Sequence, residues 1–252
     1  MAALSKSLED LLSIVEDENP KHVGLIMDGN GRWAAARGLS RSEGHAAGLE
    51  SFRRILNSSR DLGVPILTVY AFSTENWARP SHEVSAIMEL FVDYLQKYRH
   101  EFLEQDCRFV VSGRREALNP QIQQLISLAE SETKNCKGRL LNLAVSYGGR
   151  EELIDAVQAI ARQVKKGEIE PESIDAVAIS EQLYSGYLPD PDLIIRTSGE
   201  HRLSGFLLWQ SAYSELIFEE TFWPDFTPEI LKTCLDRYKR RERRFGKVLD
   251  IT

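Results

Sequence analysis

The sequence predicts an α/β protein, a single domain in which a mostly parallel central sheet is flanked by helices. Two observations lead to this prediction. Short apolar runs alternate with longer amphipathic stretches along the 252 residues. No linker, low-complexity segment or internal repeat divides them, and one domain of this length can bury a large core.

Six apolar runs rich in β-branched and aromatic residues are predicted to be strands. They are Val23–Met27, Pro65–Phe72, Arg108–Val111, Leu140–Ser146, Leu193–Thr197 and Phe206–Trp209. Helical stretches separate most of these runs, so we expect crossover connections and parallel pairing.

Helical periodicity accounts for most of the remaining chain. A helix capped by Ser42 is predicted to run to about Leu62, with Gly63 ending it. The other predicted helices are His82–Glu104, Gln121–Thr133, Glu151–Val164, Ala178–Tyr184 and Pro228–Arg243. Apolar residues at helical spacing also predict an amphipathic helix or arm over residues 1–20, before a domain of residues 21–252.

The helix His82–Glu104 carries an apolar stripe from Val84 to Leu95. Such a stripe either packs in the core or forms the wall of an apolar tunnel between the sheet and the helices. The sequence alone leaves both interpretations open.

Composition argues against several classes of function. The net charge of −7 disfavours a nucleic-acid partner. No apolar run is long enough to span a membrane. The three cysteines form no C-x-x-C pair, which argues against zinc or redox sites. The acidic first twenty residues are unlike a targeting leader, so we expect a cytoplasmic protein, or one in an organelle stroma after removal of a transit peptide.

Polar residues follow several predicted strands directly: Asp28, Ser73, Gly148 and Arg196. In a parallel sheet, the carboxyl ends of the strands meet at one edge, where ligands bind. We therefore expect these four residues to converge.

The segment Asp28–Trp33 has the character of an anion-binding loop. Its two glycines let backbone N–H groups approach a ligand, and Arg32 can grip phosphate oxygens. A carboxylate beside diphosphate is repulsive unless a Mg²⁺ ion bridges them, which makes Asp28 a candidate metal ligand. A tight turn capped by Asp28 is the alternative.

A second arginine-rich segment follows the strand Leu193–Thr197. Arg196, Arg202 and Ser204 suit diphosphate recognition, although surface ion pairing would give the same pattern. Glu215 is a second possible metal carboxylate. The arginines near His45 favour a neutral imidazole.

Taken together, these segments resemble the cis-prenyltransferase family, represented by undecaprenyl diphosphate synthase. The matching stretches are His22–Trp33, Arg37–Gly48, Tyr70–Pro80 with Glu83-Val84, Tyr147–Arg150, Asp192–Gln210, Ala212–Leu216, Trp223–Phe226 and Arg241–Gly246. They span nearly the whole chain in the family's order.

The resemblance implies a Mg²⁺-dependent enzyme that condenses isopentenyl diphosphate with an allylic diphosphate, such as farnesyl diphosphate, forming cis double bonds. It also implies an undecaprenyl-type product, a homodimer with contacts in Arg241–Gly246, and at most peripheral membrane contact through the lipid product.

The implied site residues fall into five groups. Asp28 and Asn76 are implied to be catalytic, and Asp28 and Glu215 to bind the metal. The allylic diphosphate is expected at Gly29, Asn30, Gly31, Arg32, Arg41, His45 and Arg79. The space near the reacting carbons is expected to be lined by Trp33, Ser73, Thr74, Glu75, Asn76 and Trp77. Isopentenyl diphosphate is expected at Arg196, Arg202, Leu203 and Ser204.

Two residues favour opposite conclusions about the length of the product. Arg139 stands where the family often has an apolar residue near the far end of the tunnel, and a charge there would shorten the product. Small Ala71 instead leaves room for a longer chain. The alternatives are a short-chain (C10–C15) synthase, including one that couples its substrates irregularly, and a non-catalytic subunit that binds isoprenoid.

Overall fold

The computed structural model describes residues 11–12 and 18–241. A six-stranded sheet in the order β3-β4-β2-β1-β5-β6 forms its centre. The strands are β1 (His22–Ile26), β2 (Ile66–Ser73), β3 (Cys107–Ser112), β4 (Arg139–Tyr147), β5 (Leu193–Arg196) and β6 (Glu215–Phe218). All five pairings are parallel, which confirms the predicted fold class.

The α-helices connect the strands as the alternating pattern predicted. They are α1 (Asn30–Ala35), α2 (Arg41–Asp61), α3 (Ser81–Glu104), α4 (Pro120–Thr133), α5 (Gly149–Lys165), α6 (Ala176–Glu181) and α7 (Pro228–Lys239). Every residue of β1 and β4 is buried, as expected for parallel strands covered on both faces.

The main core lies between one face of the sheet and helices α2, α3, α4 and α7. It includes Phe52 of α2, Leu95 of α3 and Val69 of β2, each at most 4% exposed. A smaller cluster around Tyr70 and Phe206 covers the opposite face. Both faces are therefore buried, and the ends of the strands are left as the places where a ligand can approach.

Two local predictions were wrong. Phe206–Trp209 is not a strand, because Ser204, Gly205 and Leu207 all have positive φ angles that break an extended chain. Phe206 and Leu207 are nevertheless buried, and the Phe206 ring stacks on Tyr70 at 4.8 Å. The N-cap of α2 is Ser40 rather than Ser42, and it forms a capping box with Glu43.

Other expectations fall outside the described residues. Of the proposed N-terminal helix or arm, only Leu11 and Leu12, which are helical, and residues 18–20, which are not, belong to the described residues. The segment Arg241–Gly246 is described only at Arg241. The described part of the chain contains no helix with both the length and the apolar character needed to cross a membrane.

Candidate active site

The carboxyl ends of β1 and β5 bring the two predicted diphosphate segments together. Ile26 pairs in register with Arg196, so Asp28 lies beside the guanidinium group that ends β5. Arg196 Nη2 donates to Asp28 Oδ2 at 2.8 Å. The Asp28 N–H donates to Thr197 Oγ1 at 2.9 Å, and the Thr197 hydroxyl donates to the Asp28 carbonyl oxygen at 2.7 Å. These bonds fix the Asp28 carboxylate at the edge of the sheet.

Arg196 also organises the loop that follows β5. Its Nη1 donates to Ser204 Oγ at 2.8 Å and to the carbonyl oxygen of Arg202 at 2.5 Å. The Tyr70 hydroxyl donates to the carbonyl oxygen of Ser204 at 3.3 Å. Leu203 packs against the apolar cluster beneath this loop. The structure therefore holds the four predicted residues of the second head-group site beside Asp28, with Arg196 at the end of β5 and the other three in the loop that follows.

Glu200 links the two predicted head-group sites. Arg32 Nη1 lies 2.7 Å from Glu200 Oε1, and Arg202 pairs with the other Glu200 oxygen. Arg32 Nη2 lies 3.2 Å from Asp28 Oδ1. Glu200 was not predicted from the sequence, because a single carboxylate in a loop gives no pattern.

Arg196 and Arg32 stabilise the ionised form of Asp28. Burial alone would raise its pKa, but the hydrogen bond and charge of Arg196 and the charge of Arg32 lower it below the usual range. Asp28 is therefore ionised at neutral pH. A carboxylate and several guanidinium groups then share one small region, which suits a phosphate ligand with a cation.

A second cationic group surrounds Glu83, in the first turn of α3. Arg41 and Arg79 each place Nη1 3.1 Å from Glu83 Oε1, and His45 Nε2 lies 3.6 Å from the same oxygen. We call Arg41, His45, Arg79 and Glu83 the Glu83 cluster. Glu83 was also missed as a site residue, although the sequence analysis predicted its three partners.

The charges of the Glu83 cluster follow from its geometry. Burial and the charge of Arg79 lower the pKa of His45, so its imidazole is neutral at neutral pH. Burial would raise the pKa of Glu83, but Arg79 and Arg41 lower it. The cluster therefore holds two guanidinium groups, one carboxylate and a neutral imidazole.

The predicted glycine-containing loop lies between these two groups; in the structure Gly29 is the N-cap of α1 and Gly31 is in its first turn. Gly29 has φ 104°, a conformation that favours glycine. A Cβ there would approach the Phe222 ring to 2.8 Å. A Cβ on Gly31 would lie 3.4 Å from the Arg41 guanidinium carbon. The loop thus touches the Glu83 cluster on one side while Asp28 precedes it on the other.

The loop after β2 is anchored by Asn76 and Trp77. Asn76 Oδ1 accepts the Ser73 N–H at 3.2 Å, at the start of the 3₁₀ turn Thr74–Ala78. Trp77 Nε1 donates to Ser146 Oγ at 3.0 Å. Thr74 Oγ1 lies 3.4 Å from Glu151 Oε2. The neighbouring Glu75 is exposed.

An apolar cavity of about 120 Å³ opens between these elements. Asn30 and His45 lie in its wall, each with a buried polar atom that lacks a hydrogen-bond partner among the described residues. The remaining wall comes from α2, α3, β2 and β4, through Leu49, Phe52, Ala71, Ile87, Met88, Phe91, Leu143 and Val145 among others. Part of the apolar stripe of α3 therefore lines a cavity, as the tunnel interpretation predicted.

Neither predicted tryptophan lines this cavity. Trp33 Nε1 donates to Asp225 Oδ1 at 2.7 Å, and the Arg37 guanidinium lies 4.4 Å from the centre of its ring. Trp77 packs edge-on against Phe72 at 5.0 Å and lines a separate groove outside α3. In the single chain, both rings are held away from the space in which a tail would lie.

Glu215 does not meet Asp28 within one chain, contrary to the prediction of a shared metal site. It pairs in register with Leu193 at the amino end of β5, whereas Asp28 follows the carboxyl end of β1. Along parallel strands these two edges are about 10 Å apart. The Glu215 carboxylate instead forms an ion pair with Arg241. A metal shared by Glu215 and Asp28 would require a second copy of the chain.

Comparison with known proteins identifies the family. The family described as "Putative undecaprenyl diphosphate synthase" matches residues 26–246. The chain belongs to this undecaprenyl diphosphate synthase family. It is 48% identical over 238 residues to an isoprenyl transferase of Streptococcus thermophilus, covering 93% of this chain and 96% of that protein.

Two further similar proteins extend the comparison. A Micrococcus luteus protein named ditrans,polycis-undecaprenyl-diphosphate synthase ((2E,6E)-farnesyl-diphosphate specific) is 45% identical over 227 residues, which are 90% of this chain and 91% of that protein. The crystal structure of lavandulyl diphosphate synthase from Lavandula x intermedia, in complex with dimethylallyl diphosphate, superposes with a TM-score of 0.90 at 36% identity, covering 92% of this chain and all of that one. The protein is thus a prenyl transferase with cis-prenyltransferase activity of the undecaprenyl diphosphate synthase type.

Proposed function

We propose that this protein condenses isopentenyl diphosphate with an allylic diphosphate in a Mg²⁺-dependent reaction at the carboxyl edge of β1, β2 and β5. One observation carries the proposal. Asp28 lies between two arginine-rich groups, and an apolar cavity begins beside one of them. Two diphosphates and one hydrocarbon tail would need this combination of subsites.

The allylic diphosphate is assigned to the side of the Glu83 cluster. Arg41 and His45 belong to α2, and Gly31 of the glycine loop lies against Arg41. His45 Nε2 is buried in the cavity wall and has no hydrogen-bond partner among the described residues. In the tautomer that carries the proton on Nε2, it would donate to an oxygen of a bound diphosphate. With the diphosphate there, the allylic tail would enter the apolar cavity.

Isopentenyl diphosphate is assigned to the loop after β5. Arg196 is 4% exposed and held by Asp28 and Ser204. A buried guanidinium group held in this way can bind phosphate oxygens without first losing side-chain entropy. Arg202 adds a second guanidinium group, now paired with Glu200.

The proposed chemistry uses these charges at one step. As the bond between the allylic carbon and its diphosphate breaks, negative charge collects on the departing group. Arg32, Arg41 and Arg79 would stabilise that charge as it forms. The allylic carbon then joins the terminal alkene carbon of isopentenyl diphosphate, and loss of a proton completes the new double bond. Asn76, fixed by the Ser73 N–H, is proposed to assist that proton loss.

The donor set fits Mg²⁺ bound together with the substrate. The described residues contain no group of three or more His, Cys, Asp or Glu side chains that could hold a metal ion. Mg²⁺ commonly uses one or two carboxylates, substrate phosphates and water. Asp28, ionised and at the edge of the diphosphate region, would supply the carboxylate. The bound ion would neutralise charge on the diphosphate.

The product is proposed to be of undecaprenyl type, with a short-chain product as the second candidate. Arg139 is the observation that favours the second candidate. It is 3% exposed and donates to the Leu56 carbonyl oxygen and to Gln105 Oε1. These partners belong to α2 and the end of α3, the helices that line the cavity. Arg139 also lines another cavity, of about 620 Å³, near the amino ends of the strands, so its side chain would separate the two spaces.

Assembly as a homodimer is proposed from the family resemblance of Arg241–Gly246. A second copy would also be the source of the Glu215 carboxylate for a shared metal site. Light scattering of the purified protein checks this part independently, with a monomer as the result that would contradict it.

The experiment for the whole proposal is turnover by the purified protein. We expect incorporation of labelled isopentenyl diphosphate with farnesyl diphosphate and Mg²⁺, and loss of incorporation in Asp28→Ala without loss of fold. Asp236→Ala is the matched control, because the Asp236 carboxylate is 41% exposed and pairs with Lys232 at 2.9 Å on the surface of α7, outside the proposed site. An inactive wild-type protein would instead favour the non-catalytic subunit, and an active Asp28→Ala variant would refute the assigned role.

A further inference from the structure

Glu83 connects three segments that the proposed allylic site requires. Arg41 lies at the start of α2, Arg79 ends the 3₁₀ turn after β2, and Glu83 is in the first turn of α3. Arg41 places Nη1 3.1 Å and 3.3 Å from the two carboxylate oxygens. Arg79 donates to Glu83 Oε1 at 3.1 Å. One carboxylate thus joins two guanidinium groups that are distant in sequence.

Glu83 is much more buried than the two arginines that it binds. The Glu83 side chain is 6% exposed, whereas those of Arg79 and Arg41 are 35% and 66% exposed. A buried carboxylate is costly unless it is paired, and the first turn of a helix adds a favourable dipole. The Glu83 carboxylate is therefore held in place inside the cluster. The two more exposed guanidinium groups keep part of their surface open to solvent, where a ligand can reach them.

We propose that Glu83 is the positioning residue of the allylic diphosphate pocket, holding Arg41 and Arg79 in the array that receives the departing diphosphate. This inference rests on the proposed function of that pocket. Glu83 does not touch the substrate itself. It contributes by fixing two long side chains before the substrate arrives, which lowers the entropy lost on binding.

The position also explains how the loop after β2 is tied to α2. The contacts of Glu83 with Arg79 and with Arg41 join the segment after β2 to the start of α2. Removing the carboxylate would leave both arginines near the pocket with no common anchor. The expected defect therefore concerns the allylic substrate, not isopentenyl diphosphate, whose proposed site lies at the loop after β5.

Glu83→Gln and Glu101→Gln form a matched pair of variants. Glu101 is on the same helix α3 and pairs with Arg53 of α2 at 3.1 Å. Each substitution keeps the size of the side chain and removes one charge from an ion pair between the same two helices. Only Glu83 is part of the proposed pocket.

Steady-state kinetics should separate them. For Glu83→Gln we expect KM for the allylic diphosphate to rise about tenfold, the effect of losing one charge-assisted hydrogen bond. KM for isopentenyl diphosphate should stay within about twofold, and Glu101→Gln should match the wild type in both. An unchanged allylic KM in Glu83→Gln, or an equal rise in Glu101→Gln, would overturn the proposal.

Calorimetric binding of inorganic diphosphate keeps the test independent of turnover. Weaker binding by Glu83→Gln than by the wild type and Glu101→Gln supports the positioning role even if no condensation is detected. Equal binding contradicts it. Tighter binding also contradicts it, because Glu83 would then be a competitor of diphosphate. Failure of the wild type to bind diphosphate would overturn the proposal as well.

Discussion

Replacing Ala71 with a larger residue should shorten the product, because the larger side chain would narrow the proposed tail cavity. Ala71 lies on β2 and lines the cavity of about 120 Å³ with Phe72 and Leu143. Ala71→Leu adds three carbons to this wall. At about 0.8 kcal/mol for each buried CH₂, displacing an equal length of tail removes roughly 2–3 kcal/mol of binding energy. That is a loss of about fiftyfold for the intermediates that reach this position.

Mass analysis of the products is the assay for this prediction. Wild-type protein and Ala71→Leu are given farnesyl diphosphate and excess isopentenyl diphosphate, and we expect the variant's product distribution to shift to shorter chains. Leucine at exposed Ala176, the first residue of α6, is the control for the substitution itself. An unchanged distribution from a folded Ala71→Leu protein would refute the placement of the tail.

The remaining predictions concern Arg139 and His22. Arg139→Leu should lengthen the longest product, because it removes the buried guanidinium group beyond the cavity; identical product lengths would contradict this. Burial lowers the pKa of His22 to about 4, below the unfolded value of about 6.5, so the unfolded chain takes up the proton first as pH falls. The contribution of neutral His22 to the free energy of unfolding is therefore fully present above pH 6.5. It should be lost between pH 6.5 and pH 4, a total decrease of about 3 kcal/mol. Urea unfolding should show a smaller pH dependence in His22→Gln, and an equal dependence would count against this cause.

Most of the sheet could be predicted because buried parallel strands are continuous apolar runs. β6 was missed for a physical reason. Glu215–Phe218 is a short edge strand, and only Ile217 of it is buried. Phe206 and Leu207 are buried more completely and therefore resembled a strand. Periodicity records burial, and it does not detect the positive φ angles that turn this segment.

The site was predictable where it depends on the ends of strands. Asp28 and Arg196 were expected to converge because parallel strands share one carboxyl edge, and they meet at 2.8 Å. Glu83 and Glu200 could not be found in this way. Each also pairs with an arginine close in sequence, Arg79 with Glu83 and Arg202 with Glu200, but such short-range pairs are common on protein surfaces and do not indicate a site. The partners that connect the two carboxylates to the rest of the site are distant: Arg41 is 42 residues from Glu83, and Arg32 is 168 residues from Glu200. Only the folded packing brings these distant charges together.

Metal-dependent condensation by the purified protein is the decisive test of the proposed reaction. Labelled isopentenyl diphosphate and farnesyl diphosphate are incubated with the wild type, with Mg²⁺ or with EDTA, and the geometry of the new double bonds is determined by NMR. The account predicts cis-configured products that form with Mg²⁺ and not with EDTA. Condensation that continues in EDTA, or new double bonds that are trans, would contradict it.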